Sequence, residues 1–160
     1  MIDVVTGADR IVVNAQIGAP CDSVWRALTE EERIAQWWGG YVSLDARPGG
    51  RLTERWTDDG GREVITSGEV VRLAAPRMLD LTWADDDDDW DGSTRVLFQL
   101  AQAADATRLT LTHSGWEALP APSRESVIRE HASGWSRHMA RTWKPTWWHG
   151  RWVYSGSQCS

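Results

Sequence analysis

Two short stretches place a histidine and a tryptophan beside a glycine, a combination suited to a polar group in an apolar cavity. The first, His113-Ser114-Gly115-Trp116, closes a strand-like run, and the second, His131-Ala132-Ser133-Gly134-Trp135, lies inside a helix-like run. A histidine in such a setting can hydrogen-bond a ligand or move a proton near neutral pH. The alternative is that each histidine bonds a neighbouring group and fills space, because buried polar groups find partners in any fold.

Glu54 is a third titratable candidate, since it shares a strand face with Leu52 and Trp56. A carboxyl group in an apolar pocket has its pKa raised and can act as a general acid or base. The alternate face carries Arg55, which, like Arg95, would instead suit an anionic ligand. The alternation of side chains alone does not tell which of the two strand faces points into the fold. The candidate catalytic residues are His113, His131 and Glu54.

Tryptophan is unusually frequent, with 12 Trp against 1 Phe and 2 Tyr. Its large apolar body and single N–H donor suit a partly wet cavity wall as well as a core. The core is the commoner location for any single ring. If the rings surround a cavity, the predicted ligand-binding residues are Trp37, Trp38, Trp56, Trp83, Phe98, Leu111, His113, Trp116, His131 and Trp135.

The sequence has no motif for a phosphate, a nucleotide or a metalloprotease zinc ion. Nothing in the spacing brings His138 or His149 to His113 and His131, so we expect no metal site. Cys21 and Cys159 give neither zinc spacing nor a disulfide framework. We therefore expect no cofactor.

The formal charge of −6 is concentrated in one run, Asp85–Asp89 followed by Asp91. Without those six residues, acidic and basic side chains number 17 each, and no basic stripe is present. This balance argues against a nucleic-acid partner. The run lacks the ligand spacing of an EF-hand loop. We predict a solvated hairpin tip there, because like charges repel one another and stay in water.

The chain contains no apolar run of the roughly 18 residues that a membrane span requires. The first residues, Met1–Val5, do not form a basic region followed by an apolar stretch, so no signal peptide is indicated. We expect a cytoplasmic protein without a membrane span, either a monomer or a homodimer.

The periodicity of apolar residues predicts a strand, two short helices, a series of strands and a long helix. Arg10–Ile17 alternates in period two, Gly18-Ala19-Pro20 breaks it, and Glu30–Glu32 suit the first turn of a second helix. Antiparallel strands then follow between residues 41 and 113, with a strong hairpin signal at Asp58-Asp59-Gly60-Gly61.

The last helix is predicted from an apolar stripe with steps of three and four residues. Gly134 interrupts it at a cost of about 1 kcal/mol relative to Ala, so a close approach to a strand or a ligand is expected there. Pro145 should end the helix close to Trp143. The stripe consists of Val127, Ile128, His131, Trp135, His138 or Met139, Thr142 and Trp143.

This order of elements predicts an α+β fold: a curved antiparallel sheet of about six to seven strands wrapped on a long C-terminal helix. A cavity between such a sheet and its helix is a usual ligand site. The predicted organisation is an N-terminal tail over 1–9, a ligand-binding domain over 10–143 and an irregular Trp-rich tail over 144–160.

Several short segments between about Arg10 and Arg141 have the order and spacing of segments found in one protein superfamily. They are Ile17-Gly18-Ala19-Pro20, Val24–Thr29, Trp37-Trp38, Gly49-Gly50, Gly68-Glu69-Val70, Pro76, Leu81-Thr82-Trp83, Thr107-Arg108-Leu109, His113–Trp116 and Gly134-Trp135. They resemble the helix-grip fold of the START and birch-pollen-allergen (SRPBCC) superfamily. More closely, they are similar to bacterial relatives of the activator of the heat-shock-protein-90 ATPase. The resemblance indicates the fold more than the substrate, because one scaffold hosts many functions.

Three functions remain open at this stage. The leading hypothesis is a non-enzymatic binder of a hydrophobic or aromatic small molecule, which the resemblance connects with natural-product metabolism or resistance. The second is a polyketide cyclase or dehydratase-like enzyme that uses His113, His131 and Glu54 as acid–base groups. The third is an interaction module resembling the chaperone activator.

Overall fold

The computed structural model describes residues 2–39, 41–86 and 90–140. The elements are β1 (Ile2–Thr6), β2 (Arg10–Ile17), α1 (Cys21–Thr29), α2 (Glu31–Trp37), β3 (Val42–Leu44), β4 (Arg51–Thr57), β5 (Glu63–Ala74), β6 (Met78–Asp85), β7 (Thr94–Ala103), β8 (Ala106–Ser114), a 3-10 turn (Trp116–Ala118) and α3 (Ala121–Ala140).

The eight described strands form one antiparallel sheet in the order β1-β2-β8-β7-β6-β5-β4-β3. Helices α1 and α2 carry the chain from β2 to the opposite edge of the sheet, where β3 begins a meander back to β8. The predicted α+β architecture, with two early helices and a long C-terminal helix, is confirmed. The predicted hairpin at residues 58–61 joins β4 to β5.

Strand β1 is an element that the sequence pattern did not predict, since residues 1–9 were assigned to a tail. Ile2–Thr6 pairs with residues 11–15 of β2 and forms one edge of the sheet. Its five residues are too few for a clear alternation, and its side chains are mostly exposed. The pairing with β2 therefore defines this strand more than its own sequence does.

Gly68 lies where β5 passes close to β6, as its position in a strand predicts. A Cβ atom built at Gly68 would lie 2.0 Å from the carbonyl oxygen of Thr82. A few residues further along β5, the register with β6 shifts between Val70 and Arg72. Only a residue without a side chain fits at Gly68 without moving the neighbouring backbone.

Helix α3 packs one face against the sheet, and the main core lies between them. Its buried residues are separated by one, three or four positions, which confirms the predicted stripe at Ile128, His131, Trp135 and Met139. The facing sheet residues alternate, as in β6, where Leu79, Leu81 and Trp83 are all at most 3% exposed. The buried residues of α3 are Ile128, His131, Ala132, Trp135 and Met139.

Gly134 has a different environment from Gly68. A Cβ atom built at Gly134 meets no atom of another described element within 4 Å. No close approach of a described strand therefore accounts for a glycine in the middle of α3.

No helix among the described residues is long and apolar enough to cross a membrane. The end of the last helix near Trp143 and the Trp-rich tail over 144–160 lie outside the described residues, and so do residues 87–89 of the acidic run.

The two glycines should respond in opposite directions to substitution by alanine. We expect Gly68→Ala to lower the free energy of unfolding by about 1–3 kcal/mol or more, as overpacking does. Gly134→Ala should raise it by about 0.5–1 kcal/mol, because alanine favours the helix and meets no obstruction. Urea unfolding followed by circular dichroism measures both values. A fully stable Gly68→Ala protein would contradict the close approach of β5 to β6.

Candidate functional site

A cavity of about 110 Å³ lies between α3, strands β4 and β6, and the residue that follows α2. Its deep walls are Trp38, Trp83 and Trp135, each at most 3% exposed, with Glu54 and His131. More exposed residues form its rim. The lining residues are Trp38, Glu54, Trp56, Thr57, Trp83, Glu130, His131, Gly134, Trp135, Arg137 and His138.

The cavity brings together half of the ten residues predicted to bind a ligand: Trp38, Trp56, Trp83, His131 and Trp135. The other five do not line it and are packed deeper in the core or beside the helices. Trp37, for example, donates its indole N–H to the carbonyl oxygen of Ala27 at 2.8 Å. Periodicity places these side chains on the inner face, but three-dimensional packing decides how far each lies from the cavity. They are Trp37, Phe98, Leu111, His113 and Trp116.

Glu54 projects from the inner face of β4 and is only 5% exposed. Its Oε1 accepts a hydrogen bond from the indole N–H of Trp38 at 3.0 Å. Burial raises the pKa of Glu54 to about 7, and the negative charge of Asp85 adds to the rise. The Trp38 hydrogen bond and the positive charge of His131 act in the opposite direction. Glu54 is thus half protonated near neutral pH.

The two arginines considered with Glu54 lie elsewhere. The guanidinium of Arg55 is on the exposed face of β4, where Nη1 lies 3.9 Å from Glu63 Oε1. Arg95 bonds Asp80 through two nitrogens, at 3.1 and 2.7 Å, beside Arg72. Neither arginine lines the cavity. The charged group that β4 contributes to the cavity is the carboxyl group of Glu54.

Asp85 was expected in a solvated hairpin tip, and that expectation is wrong for this residue. Asp85 is the last residue of β6, and it follows Leu79, Leu81 and Trp83 on the inner face of the strand. Its Oδ1 accepts a hydrogen bond from the hydroxyl of Thr66 at 2.5 Å. Continuing the alternation of β6 by one step would have identified this buried carboxylate in the sequence.

His131 lies opposite Asp85, with Nε2 3.2 Å from Asp85 Oδ2. Its Nδ1–H donates to the carbonyl oxygen of Val127 one helical turn earlier, at 2.9 Å. Burial lowers the pKa of His131, but the hydrogen bond and charge of Asp85, together with Val127, outweigh it and raise the pKa above 6.5. The carboxylate of Asp85 thus favours the protonated form of the ring. The indole nitrogen of Trp83, 3.4 Å from Nε2, can donate there only when the ring is neutral.

His113 is fully buried, and both of its ring nitrogens are bonded. The hydroxyl of Thr94 donates to the carbonyl of Trp83 at 3.1 Å, so it accepts Nε2–H of His113 at 2.7 Å. Nδ1 then accepts the indole N–H of Trp135 at 3.1 Å. Burial, together with the charge of His131, holds the pKa of His113 well below 6.5. The geometry thus favours a neutral ring that positions Trp135.

The three candidate acid–base residues therefore differ in what they can do. His113 has no nitrogen left for a ligand, and His131 is paired with Asp85. Glu54 lines the cavity, and in the described part of the chain its Oε2 has no hydrogen-bond partner. Glu54 can accept or release a proton near neutral pH. The described residues contain no group of three His, Cys, Asp or Glu side chains placed to hold a metal ion.

Glu54→Gln should change how stability depends on pH. The folded protein holds the proton of Glu54 up to about pH 7, whereas the unfolded chain releases it near 4.5. This contribution to stability is complete below pH 4.5 and disappears as the pH rises to about 7. As the pH rises from 4.5 to 7, the free energy of unfolding of the Gln variant should increase relative to that of the parent by up to about 3 kcal/mol. A difference independent of pH would contradict a raised pKa at Glu54.

Trp135 tests whether the deep wall also supports the fold. We expect Trp135→Ala to lower the free energy of unfolding by about 3–5 kcal/mol, because the ring is 2% exposed. Trp135→Phe should restore part of the packing while leaving Nδ1 of His113 without its donor, at a residual cost of about 1–3 kcal/mol. Thermal and urea unfolding of both variants give the values. A loss well below 1 kcal/mol for Trp135→Ala would show that the ring borders empty space.

Comparison with known proteins identifies the family. The family described as "Activator of Hsp90 ATPase homolog 1-like protein" matches residues 18–142. No curated protein matches the chain.

Three solved structures illustrate the similarity. Protein Ms6760 from Mycobacterium smegmatis shares 18% identity, covers 88% of this chain and 94% of its own, and superposes with a TM-score of 0.74. DynU16, a putative protein in the dynemicin biosynthetic locus, shares 26% identity with a TM-score of 0.66, covering 83% of this chain and 45% of its own. PFC0360w, an HSP90 activator from Plasmodium falciparum, shares 18% identity with a TM-score of 0.62, covering 80% and 88%. With the helix-grip arrangement and the match over residues 18–142, the chain belongs to the Activator of Hsp90 ATPase homolog 1-like family.

Proposed function

We propose that this protein binds a small molecule with an apolar or aromatic part in the cavity between α3 and the sheet. The observation that carries the proposal is a space walled by Trp38, Trp83 and Trp135 with a buried carboxyl group, Glu54, at its side. Ligand sites are typically apolar and aromatic with a few polar groups that fix orientation. This cavity has that composition.

The size of the cavity restricts the ligand. Its volume of about 110 Å³ is several times the ~10–15 Å³ that one water molecule needs. It is also below the roughly 300–1,000 Å³ of common ligand pockets. A molecule with a single ring fits this space better than a fused polycycle.

Gly134 supports the same proposal. A glycine inside a helix costs about 1 kcal/mol relative to alanine. Its Cβ position meets no neighbouring element, and the residue lines the cavity. The missing side chain thus leaves room on the ligand side of α3.

The similarity to DynU16 supports a role for this chain in natural-product metabolism or resistance, as proposed from the sequence. The enzymatic alternative rests on Glu54, and the chaperone-activator alternative on the name of the family. Both stay predictions.

The proposal can be tested by filling the space in front of Gly134. We expect a panel of single-ring compounds, phenol, benzyl alcohol and benzylamine, to change the Trp fluorescence or melting temperature of the parent protein. Gly134→Leu should abolish the response, because the new side chain occupies the cavity. Ser133→Leu is the matched control, since Ser133 is exposed on the same turn and does not line the cavity. A parent protein that responds to no probe, or a Gly134→Leu protein that responds like the parent, would refute the proposal.

A further inference from the structure

Most indole N–H donors around this cavity are already bonded to protein acceptors and are not left for a ligand. Three of the four Trp side chains that line it donate their N–H to protein acceptors: Trp38 to Glu54, Trp56 to Thr66 and Trp135 to His113. The fourth, Trp83, directs its N–H toward Nε2 of His131. The N–H groups of Trp38, Trp56 and Trp135 are therefore already used by protein acceptors.

The deep acceptor that remains is Glu54. Its Oε1 holds the Trp38 N–H, while Oε2 has no hydrogen-bond partner among the described residues. The residue is 5% exposed, so bulk water reaches it poorly. A buried carboxylate without a bonded cation is unfavourable, and a ligand that brings a positive charge relieves this cost.

Among the described residues, no charged side chain forms a hydrogen bond with Oε2 of Glu54. His131 lies 3.2 Å from Asp85, so a positive charge on its ring is matched first by that carboxylate. His138 comes closest among the bases, with Nε2 3.9 Å from Glu54 Oε1, beyond hydrogen-bonding distance. The rim carries one acidic and one basic side chain, Glu130 and Arg137.

We infer that the cavity selects a small organic cation, with an ammonium group at Oε2 of Glu54 and an apolar body against the indole rings. Tryptophan is the aromatic side chain that attracts cations most strongly, so the walls add to this preference. An anionic ligand of the same shape would meet Glu54 and be repelled. This inference rests on the proposed small-molecule function and specifies the class of ligand.

The pH dependence of binding follows from the same groups. Glu54 faces His131 and His138 from α3 and Asp85 from β6, with Glu130 and Arg137 at the rim. Because burial raises the pKa of Glu54 to about 7, lowering the pH below 7 neutralises the carboxylate. Cation affinity should therefore fall at lower pH, and binding near neutral pH should release a proton.

The test is a series of ligands of similar shape and different charge: benzylamine, benzyl alcohol and benzoate, each titrated calorimetrically into the parent protein at pH 8. We expect benzylamine to bind about tenfold more tightly than benzyl alcohol or better, as a charge-assisted hydrogen bond allows. Benzoate should be the weakest of the three. Benzylamine affinity should also decrease between pH 8 and pH 6.

Two variants assign the preference to one residue. Glu54→Gln keeps the shape and the acceptor for Trp38, and it should remove the advantage of benzylamine over benzyl alcohol. Glu63→Gln makes the same change in net charge at an exposed residue of β5 and should leave that advantage intact.

The outcomes separate the two proposals. If benzyl alcohol binds as tightly as benzylamine, or if Glu54→Gln retains the cation preference, the inference about the cation is wrong while small-molecule binding stands. If none of the three compounds binds, the proposed function fails together with it.

Discussion

The interface between α3 and the sheet depends on how three buried ionisable side chains share their charges. His131 and Asp85 form an ion pair that joins the middle of the helix to the end of β6, at 3.2 Å. Breaking a buried pair by removing one partner is costly, because the other charge is left without compensation. Glu54, the third group, has no comparably close charged partner among the described residues, since Nε2 of His138 lies 3.9 Å from its Oε1. The ion pair thus fixes the middle of α3 on the sheet, while Oε2 of Glu54 beside it has no hydrogen-bond partner among the described residues.

The tryptophan side chains separate these charges from the core while contributing to it. Trp38 stacks on Trp83 at a centroid distance of 5.9 Å, and Trp135 contacts both rings at 5.2 and 5.3 Å. Trp38 and Trp135 also donate their N–H groups to Glu54 and His113, and the indole nitrogen of Trp83 lies 3.4 Å from His131 Nε2. Phenylalanine could supply the apolar surface but not these donors. Tryptophan suits this part of the core because it supplies both apolar surface and a hydrogen-bond donor for buried polar groups.

Much of the architecture could be predicted because it depends on local alternation and on turn residues. The same alternation placed Glu54 with Leu52 and Trp56, but the choice of the inner face required the packing of α3. The two histidines gave the same signal in the sequence. Their difference comes from residues distant along the chain: the hydroxyl of Thr94 accepts a hydrogen bond from Nε2–H of His113, whereas the carboxylate of Asp85 lies beside His131. Such partners are defined by strand register and helix placement, which a local pattern does not encode.

The contrast between the deep walls and the rim has a kinetic consequence. Thr57 and Arg137 at the rim are exposed side chains, whereas the rings beneath them are packed against one another. Exposed side chains change rotamer in picoseconds to nanoseconds, far faster than helices shift against a sheet. Entry and exit through this rim would then be governed by side-chain rotation, without displacement of α3. A molecule of the size of the cavity could exchange rapidly while the fold remains closed around its core.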